Sequence, residues 1–362
     1  MDDALFFQKM TTLLMEEPPQ EGYLVTLCDY ARSSPQPKGA MWFYHIHTQI
    51  GSLSSGCLER ILANLFEQQA FQQFPFFLRI SQKNTSSHQE KKSTDTFWYQ
   101  SFLPFLSLED FLMDDTQYSF LPCQGSLVLL IEKIHFHRQY PHAPCLFSFY
   151  QKLTQDLAAK KNCQKKISFT ATHEAIYTHE ISLISPSPKE TTIEIEQSDQ
   201  QINYKHQFGI RYPLVLIGWN AVAFYIAKFA PSLQFELFIC EPRFQPKDVP
   251  NDVTWIPEVP DVYLQNHFQS KPYAIIALSH EAALDDIALL EAIDSNAYYI
   301  GALGSKRTAQ KRIDRLLSLG LDPNKVQRIQ SPVGLDLKSK WPAEIAISIL
   351  AELIKIRNQT LV

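Results

Sequence analysis

Glycine is scarce in this chain, with 11 among 362 residues. Each glycine at a turn is therefore informative, because few are available for positions that demand a left-handed backbone or a close approach. The six cysteines (Cys28, Cys57, Cys123, Cys145, Cys163 and Cys240) are scattered and never form C-x-x-C. That argues against a disulfide framework or a four-cysteine zinc site, and it fits a reducing compartment, so a cytoplasmic location is expected. A net charge of −5 gives no electrostatic footprint for nucleic acid. No apolar run approaches membrane-spanning length, and the acidic, amphipathic N-terminus lacks the basic region of a secretory signal. What is present, 45% hydrophobic residues with 24 Phe, is ample for burial. The length implies two domains, placed here at 1–210 and 211–362.

The stretch from Ala297 to Glu352 organises the rest. An apolar run from Tyr298 to Leu303 meets Gly301 and Gly304, and a polar, basic helical pattern starts at Ser305. A buried strand, a glycine turn and a helix N-terminus hold anions on backbone N–H groups. Ser305 is a credible N-cap. Lys306 and Arg307 oppose the helix dipole, so a negative partner is expected to offset them unless they simply face water. The turn Ser331-Pro332-Val333-Gly334-Leu335-Asp336 ends in a carboxylate, and a helix follows from Pro342 with an apolar stripe at Ile345, Ile349, Leu350 and Leu353.

A βαβ outline precedes that stretch. Leu214–Ile217 reads as a strand, Gly218 to Ala223 as a turn, Phe224 to Ala230 as a helix, and Phe235–Cys240 as a strand ending in Glu241, with Arg243 behind it. This is the outline of a dinucleotide-binding unit, but Asn220 stands at its second glycine, where the backbone must approach a pyrophosphate. Glu241 retains the capacity to bond ribose hydroxyls. The strand Tyr273–Leu278 leads to Ser279-His280, placing His280 at a strand end, where open α/β sheets bind ligands. The ends at Gly301 to Arg307 and Asp336 are expected to converge there too.

In the first half, Tyr23–Thr26 and Met41–Ile46 read as strands around a turn-rich loop. Gly51-Ser52-Leu53-Ser54-Ser55-Gly56-Cys57-Leu58-Glu59 then opens a helix. A cysteine at a helix start can gain thiolate character from the helix polarity, or it can be a small buried hydrophobe. Cys123 precedes a strand from Leu127 to Ile131 that ends at Glu132. His135, His137, His142 and Cys145 tempt a zinc reading, but Pro141 and Pro144 point to a surface loop and no metal is expected. The region 135–210 holds a helix from Phe149 to Ala159, then alternating segments at 167–184 and 191–206 that read as one hairpin closing the first domain.

Together these motifs resemble the XdhC/CoxI family, accessory proteins of molybdenum hydroxylases. The C-terminal pattern Y-[IV]-G-x-L-G-S-[RK]-[RK]-T, the P-[IV]-G-L-D turn and P-x-E-I-A-x-S-I-x-A-E all match in order. Residues 51–59 are similar to the family's G-S-V-S-G-G-C-V-E, and 121–132 to its C-G-G turn before a strand. The departures are Gln36, Ser55, Gln124, Asn220 and Ala221. The resemblance implies an α/β protein, with an N-terminal α+β XdhC/CoxI domain followed by a C-terminal Rossmann-like parallel-sheet domain. It implies the molybdenum cofactor (molybdopterin) as cargo, and a maturation factor in preference to an enzyme. It further implies an apo-hydroxylase of the xanthine dehydrogenase type as partner, and a cysteine desulfurase for sulfuration; a homodimer is a fair prior. Cys57, with Cys123 in support, is then the candidate sulfur relay or molybdenum ligand. Gly218, Asn220, Glu241, Arg243, His280, Gly301, Gly304, Ser305, Lys306, Arg307 and Asp336 are the candidate cofactor contacts. The rival readings are an NAD(P)-dependent oxidoreductase, made doubtful by the broken fingerprint, and a degenerate member serving only as a protein-binding scaffold.

Overall fold

The computed structural model describes residues 2–16, 21–30, 34, 36–46, 48–54, 56–71, 74–81, 105–107, 126–135, 146–170, 176–184, 193–197, 201–247, 249–250, 252–268, 272–279 and 281–360. Two compact units make up the chain, the first ending at Gly209 and the second continuing from Ile210.

The first unit contains helices α1 (Asp3–Glu16), α2 (Cys57–Glu67) and α3 (Leu146–Ala158). Its strands are β1 (Glu21–Tyr30), β2 (Met41–His45), β3 (Thr48–Gly51), β4 (Phe76–Ser81), β5 (Phe105–Ser107) and β6 (Ser126–His135), arranged in one sheet in the order β3-β2-β1-β6-β4-β5. Both faces are covered. On one, Val25, Leu27 and Trp42 pack against Leu58, Leu62 and Phe66 of α2. On the other, Leu24 and Phe43 pack against Phe7 and Met10 of α1 and Tyr150 and Leu153 of α3. Burial on both sides is why β1 and β2 read as continuous apolar runs without alternation. Each such large side chain contributes about 1.5–3 kcal/mol on burial.

The alternating segments form two hairpins where one was expected. Strands β7 (Cys163–Thr170), β8 (Ile176–Leu183), β9 (Ile193–Gln197) and β10 (Gln201–Phe208) make an antiparallel sheet in the order β8-β7-β10-β9. Ile167, Phe169, Ile202 and Tyr204 of this sheet pack on Phe77, Val128 and Leu130 of the first. A second correction concerns Glu132, which lies inside β6 and does not end it. Its carboxylate is fully buried, paired with Lys165 and accepting from the Tyr150 hydroxyl at 2.9 Å. A buried charge this well partnered can sit mid-strand, where sequence pattern alone expects a terminus.

The second unit is a doubly wound α/β fold. Strands β11 (Tyr212–Ile217), β12 (Phe235–Cys240), β13 (Val253–Ile256), β14 (Tyr273–Ala277), β15 (Ala297–Ala302) and β16 (Ile329–Gln330) are all parallel, in the order β13-β12-β11-β14-β15-β16. Helices α4 (Ala221–Phe229) and α9 (Pro342–Thr360) cover one face, through Val222, Ile226, Ile349 and Leu353. Helices α5 (Pro260–His267), α6 (Ala282–Ile293), α7 (Lys306–Ser318) and α8 (Pro323–Val326) cover the other, through Leu264, Ala288, Leu316 and Val326. The chain order reverses between β11 and β14, which opens a crevice at their C-terminal ends. The fold class expected from the motifs is therefore borne out in both units. No helix among the described residues is long and apolar enough to cross a membrane.

Candidate functional site at the strand ends

The C-terminal ends of the parallel strands bring most of the candidate residues to one rim. At the end of β11, Gly218 has φ +88°, and a Cβ there would lie 2.7 Å from the Ser279 backbone. Both the conformation and the close approach of the β14 loop demand glycine. Two residues on, Asn220 begins α4 three residues before the helix read from sequence. Its side-chain oxygen accepts from the N–H groups of Val222 (2.9 Å) and Ala223 (3.0 Å), and its amide donates to the Leu278 carbonyl (2.7 Å). Asn220 is thus an N-cap that also ties α4 to the end of β14. It occupies the very N–H groups on which a pyrophosphate would sit.

Glu241, at the end of β12, is buried and already partnered. Arg243 grips it bidentately, Nε at 2.7 Å and Nη2 at 2.6 Å, and the Trp219 N–H donates to it at 3.3 Å. Burial pushes its carboxyl up, but the Arg243 and backbone donors outweigh this and hold it below the usual range. The other guanidinium edge of Arg243 reaches Glu281 at 2.5 Å. Because β11 lies between β12 and β14, this bridge straddles the Gly218–Asn220 turn. The residues present do not fit a dinucleotide: the cap takes its phosphate donors and Arg243 takes its ribose acceptor.

The β15 side is arranged differently. Gly301 lies close to Tyr299 and Val333, where a Cβ would meet each at 2.7 Å, and Gly304 has φ +153°. Ser305 caps α7 by accepting from the Thr308 N–H at 3.1 Å. The N–H groups of Lys306 and Arg307 belong to the first turn and have no place in the helical ladder; both side chains are exposed. Asp336 pairs with Lys338 at 3.0 Å, which together with the charge of Lys306 lowers its pKa. The turn carrying Asp336 is therefore a neighbour of the α7 start. Glu352 pins that turn to α9, accepting from the Gly334 N–H at 2.8 Å and from the Tyr299 hydroxyl.

In the first unit, Cys57 is the first residue of α2, half-buried, behind Gly56 with φ +100° and open space beside it. The loop before it is organised by Glu59, which is 4% exposed. Its carboxylate accepts from the N–H groups of Leu53 and Ser54 (2.7 Å each) and from the hydroxyls of Ser52 (2.9 Å) and Ser54. The Ser54 oxygen in turn accepts from the N–H of Leu58 at 3.3 Å, a reciprocal cap. Burial raises the Glu59 carboxyl, and these donors more than reverse it, for a net lowering. Cys28, Cys163 and Cys240 are buried, and burial raises each thiol, Cys163 to about 11 and Cys240 to about 12.

Cys123, His280, His137, His142 and Cys145 lie outside the described residues. Among the described residues there is no cluster with the makings of a metal site. Sequence reasoning passed over Glu59, Glu281, Glu352 and the buried pair Asp285–Arg312 (3.1 Å), in which Asp285 also accepts from the Ser279 N–H at 3.0 Å. Burial pushes Asp285 up to about 6. Glu59 and Glu352 stand inside the family motifs, which was the available signal.

A doubly wound sheet with its polar residues gathered at the strand ends, attached to an α+β unit, defines a two-part protein built on a Rossmann-type domain. Residues 214–353 match the family model of the XdhC Rossmann domain, which bears out the recognition made from the motifs. An Escherichia coli protein, the uncharacterized YqeB, is 28% identical over 41% of this chain and 28% of its own length. The E. coli molybdenum cofactor insertion chaperone PaoD is 34% identical over 23% of this chain and 26% of its own. The matched stretches thus span under a third of either relative. A Bacillus subtilis protein, named as a probable component of xanthine dehydrogenase, is 23% identical over 98% of this chain and 99% of its own. A crystal structure of a xanthine dehydrogenase from Bacillus halodurans shares the fold, with TM-score 0.63 at 22% identity over 99% of this chain and 97% of the other.

Proposed function

We propose that the protein is an accessory chaperone that binds the molybdenum cofactor and assists its sulfuration and insertion into a hydroxylase of the xanthine dehydrogenase type. The observation that carries this reading is the contrast between two helix starts on one rim. The α4 start is occupied by Asn220, whereas the α7 start keeps its first-turn N–H groups beside Gly304 with Lys306 and Arg307 exposed. An anionic pterin phosphate suits the second and is refused by the first. Similarity to PaoD, named for insertion of this cofactor, supports the cargo. Sulfuration is assigned to the half-buried Cys57, the described thiol with the most access, supplied by a cysteine desulfurase, with Cys123 in support. The partner is an apo-hydroxylase in the cytoplasm.

The test is the pterin content of protein purified from a molybdenum-replete host. Lys306→Glu with Arg307→Glu is expected to lower bound pterin at least about tenfold while Tm stays nearly unchanged, since exposed charges contribute little to folding. Cys57→Ser is expected to retain pterin yet reduce activation of the apo-hydroxylase. Unchanged pterin in the first variant would return these cations to the role of a solvated surface. NAD(P)-linked chemistry is the weaker alternative, because Asn220 and Arg243 already hold the groups a dinucleotide would need.

A further inference from the structure

We propose that Asp285 and Arg312 are positioning residues for the cofactor site: their buried ion pair clamps the chain just past the ends of β14, β15 and β16 and fixes where the α7 start stands. The proposal rests on the reading that this start holds the pterin phosphate. Asp285 lies in the first turn of α6 and Arg312 in α7, and they are 2% and 5% exposed. The Asp285 carboxylate meets Arg312 Nη2 at 3.1 Å and accepts from the Ser279 N–H at 3.0 Å. Arg312 Nη1 donates to the Leu303 carbonyl at 3.4 Å and to the Ser331 hydroxyl at 3.3 Å. Ser331 in turn donates to the Ala302 carbonyl at 3.2 Å. Ser279, Leu303 and Ser331 stand one or two residues beyond β14, β15 and β16, and Leu303 directly precedes Gly304. Arg312 Nε has no hydrogen-bond partner among the described residues, so the bonds of this guanidinium go to Asp285 and to those loops.

A buried ion pair is weak evidence for stability, since apolar side chains of similar volume often serve the fold as well. What they cannot do is bond the N–H, carbonyl and hydroxyl groups of three loops at once. The clamp also has a titratable member. Burial pushes the Asp285 carboxyl up to about 6, against the Ser279 donor and the Arg312 charge. The charged groups facing it among the described residues are Arg312 and Arg315 of α7 and its neighbour Asp286, which Arg315 holds at 2.7 Å. A carboxyl whose pKa is raised on folding takes up its proton more readily folded than unfolded, so this group strengthens the fold as pH falls. Protonation of Asp285 therefore opens the clamp without itself unfolding the domain.

Hydrogen exchange of the pterin-free full chain and pterin retention of the loaded chain test this side by side. The probes for exchange are peptides spanning the N–H groups of Ser279, Leu303 and Val333, each hydrogen-bonded in this structure. At about pH 7.5, Asp285→Asn is expected to lower protection there at least about tenfold, and bound pterin by a similar factor. Wild type brought to about pH 5 should show the same two losses, while the variant should show no further response to pH. Asp285→Asn with Arg312→Met removes both charges, so its Tm should return towards wild type while pterin stays low. Unchanged protection in Asp285→Asn overturns the proposal, as do loosened loops with full pterin retention. A double variant that regains pterin together with Tm reduces the pair to a structural role and overturns it too. Wild type that carries no pterin overturns the functional reading, and the protection factors then decide the clamp by themselves.

Discussion

Glu59 shows how one buried carboxylate sets a loop. With four donors converging on it, the Ser52–Ser54 segment has little freedom, and Cys57 is delivered to the helix start at a fixed place. Its folded pKa lies below the ordinary value of about 4.3 for glutamate. The stabilisation is therefore complete above the unfolded value and is lost as pH falls through the lower, folded one. Glu59→Gln is expected to cost about 3 kcal/mol at pH 7, where donors lose a charged acceptor. It should also flatten the decline in stability below pH about 4. Denaturant titrations of both proteins from neutral to acid pH measure this, and parallel curves would show that Glu59 titrates alike in both states. The sequence contained the signal, since Glu59 closes the family motif. It was read as a helix residue because its donors come from backbone N–H groups, which no residue pattern displays.

At the scale of elements, legibility followed the source of each element's stability. Strands β12 and β14 and helix α9 were read within a residue or two, because apolar runs and periodicity reflect burial on the two sheet faces. The start of α4 was misplaced because a side chain, not a periodicity, sets it: Asn220 caps the helix at Ala221. The four-stranded sheet of the first unit was half seen, since alternation reports a strand but not which strand it pairs with. The α4 cap carries its own prediction. NADH is expected to bind more weakly than the micromolar range in wild type, by calorimetry. Asn220→Gly alone frees the helix N–H groups but leaves Glu241 held by Arg243, so it should gain little. Asn220→Gly with Arg243→Ala releases both and should tighten NADH binding at least about tenfold. Equal binding by wild type and double variant would show that the crevice is closed by something other than these two side chains.

For the whole molecule, each unit contains its own cores. Those of the second unit are drawn from its six parallel strands and the helices on both faces, from Leu214 to Leu353. Those of the first include the buried Glu132–Lys165 pair, which joins its two sheets across β6 and β7. A unit with a closed core and its boundary in the chain at Gly209 and Ile210 meets the requirements for folding by itself. Residues 210–362 expressed alone are therefore expected to unfold in one cooperative transition. The full chain should show two transitions by calorimetry, one matching the fragment within a few degrees. If pterin is held by the α7 start, the isolated second unit should still retain it, and the first unit with its Cys57 loop should not. A fragment that folds cooperatively but comes without pterin would move the cargo to the first unit or require both. A fragment with no cooperative transition would show that the second unit depends on the first.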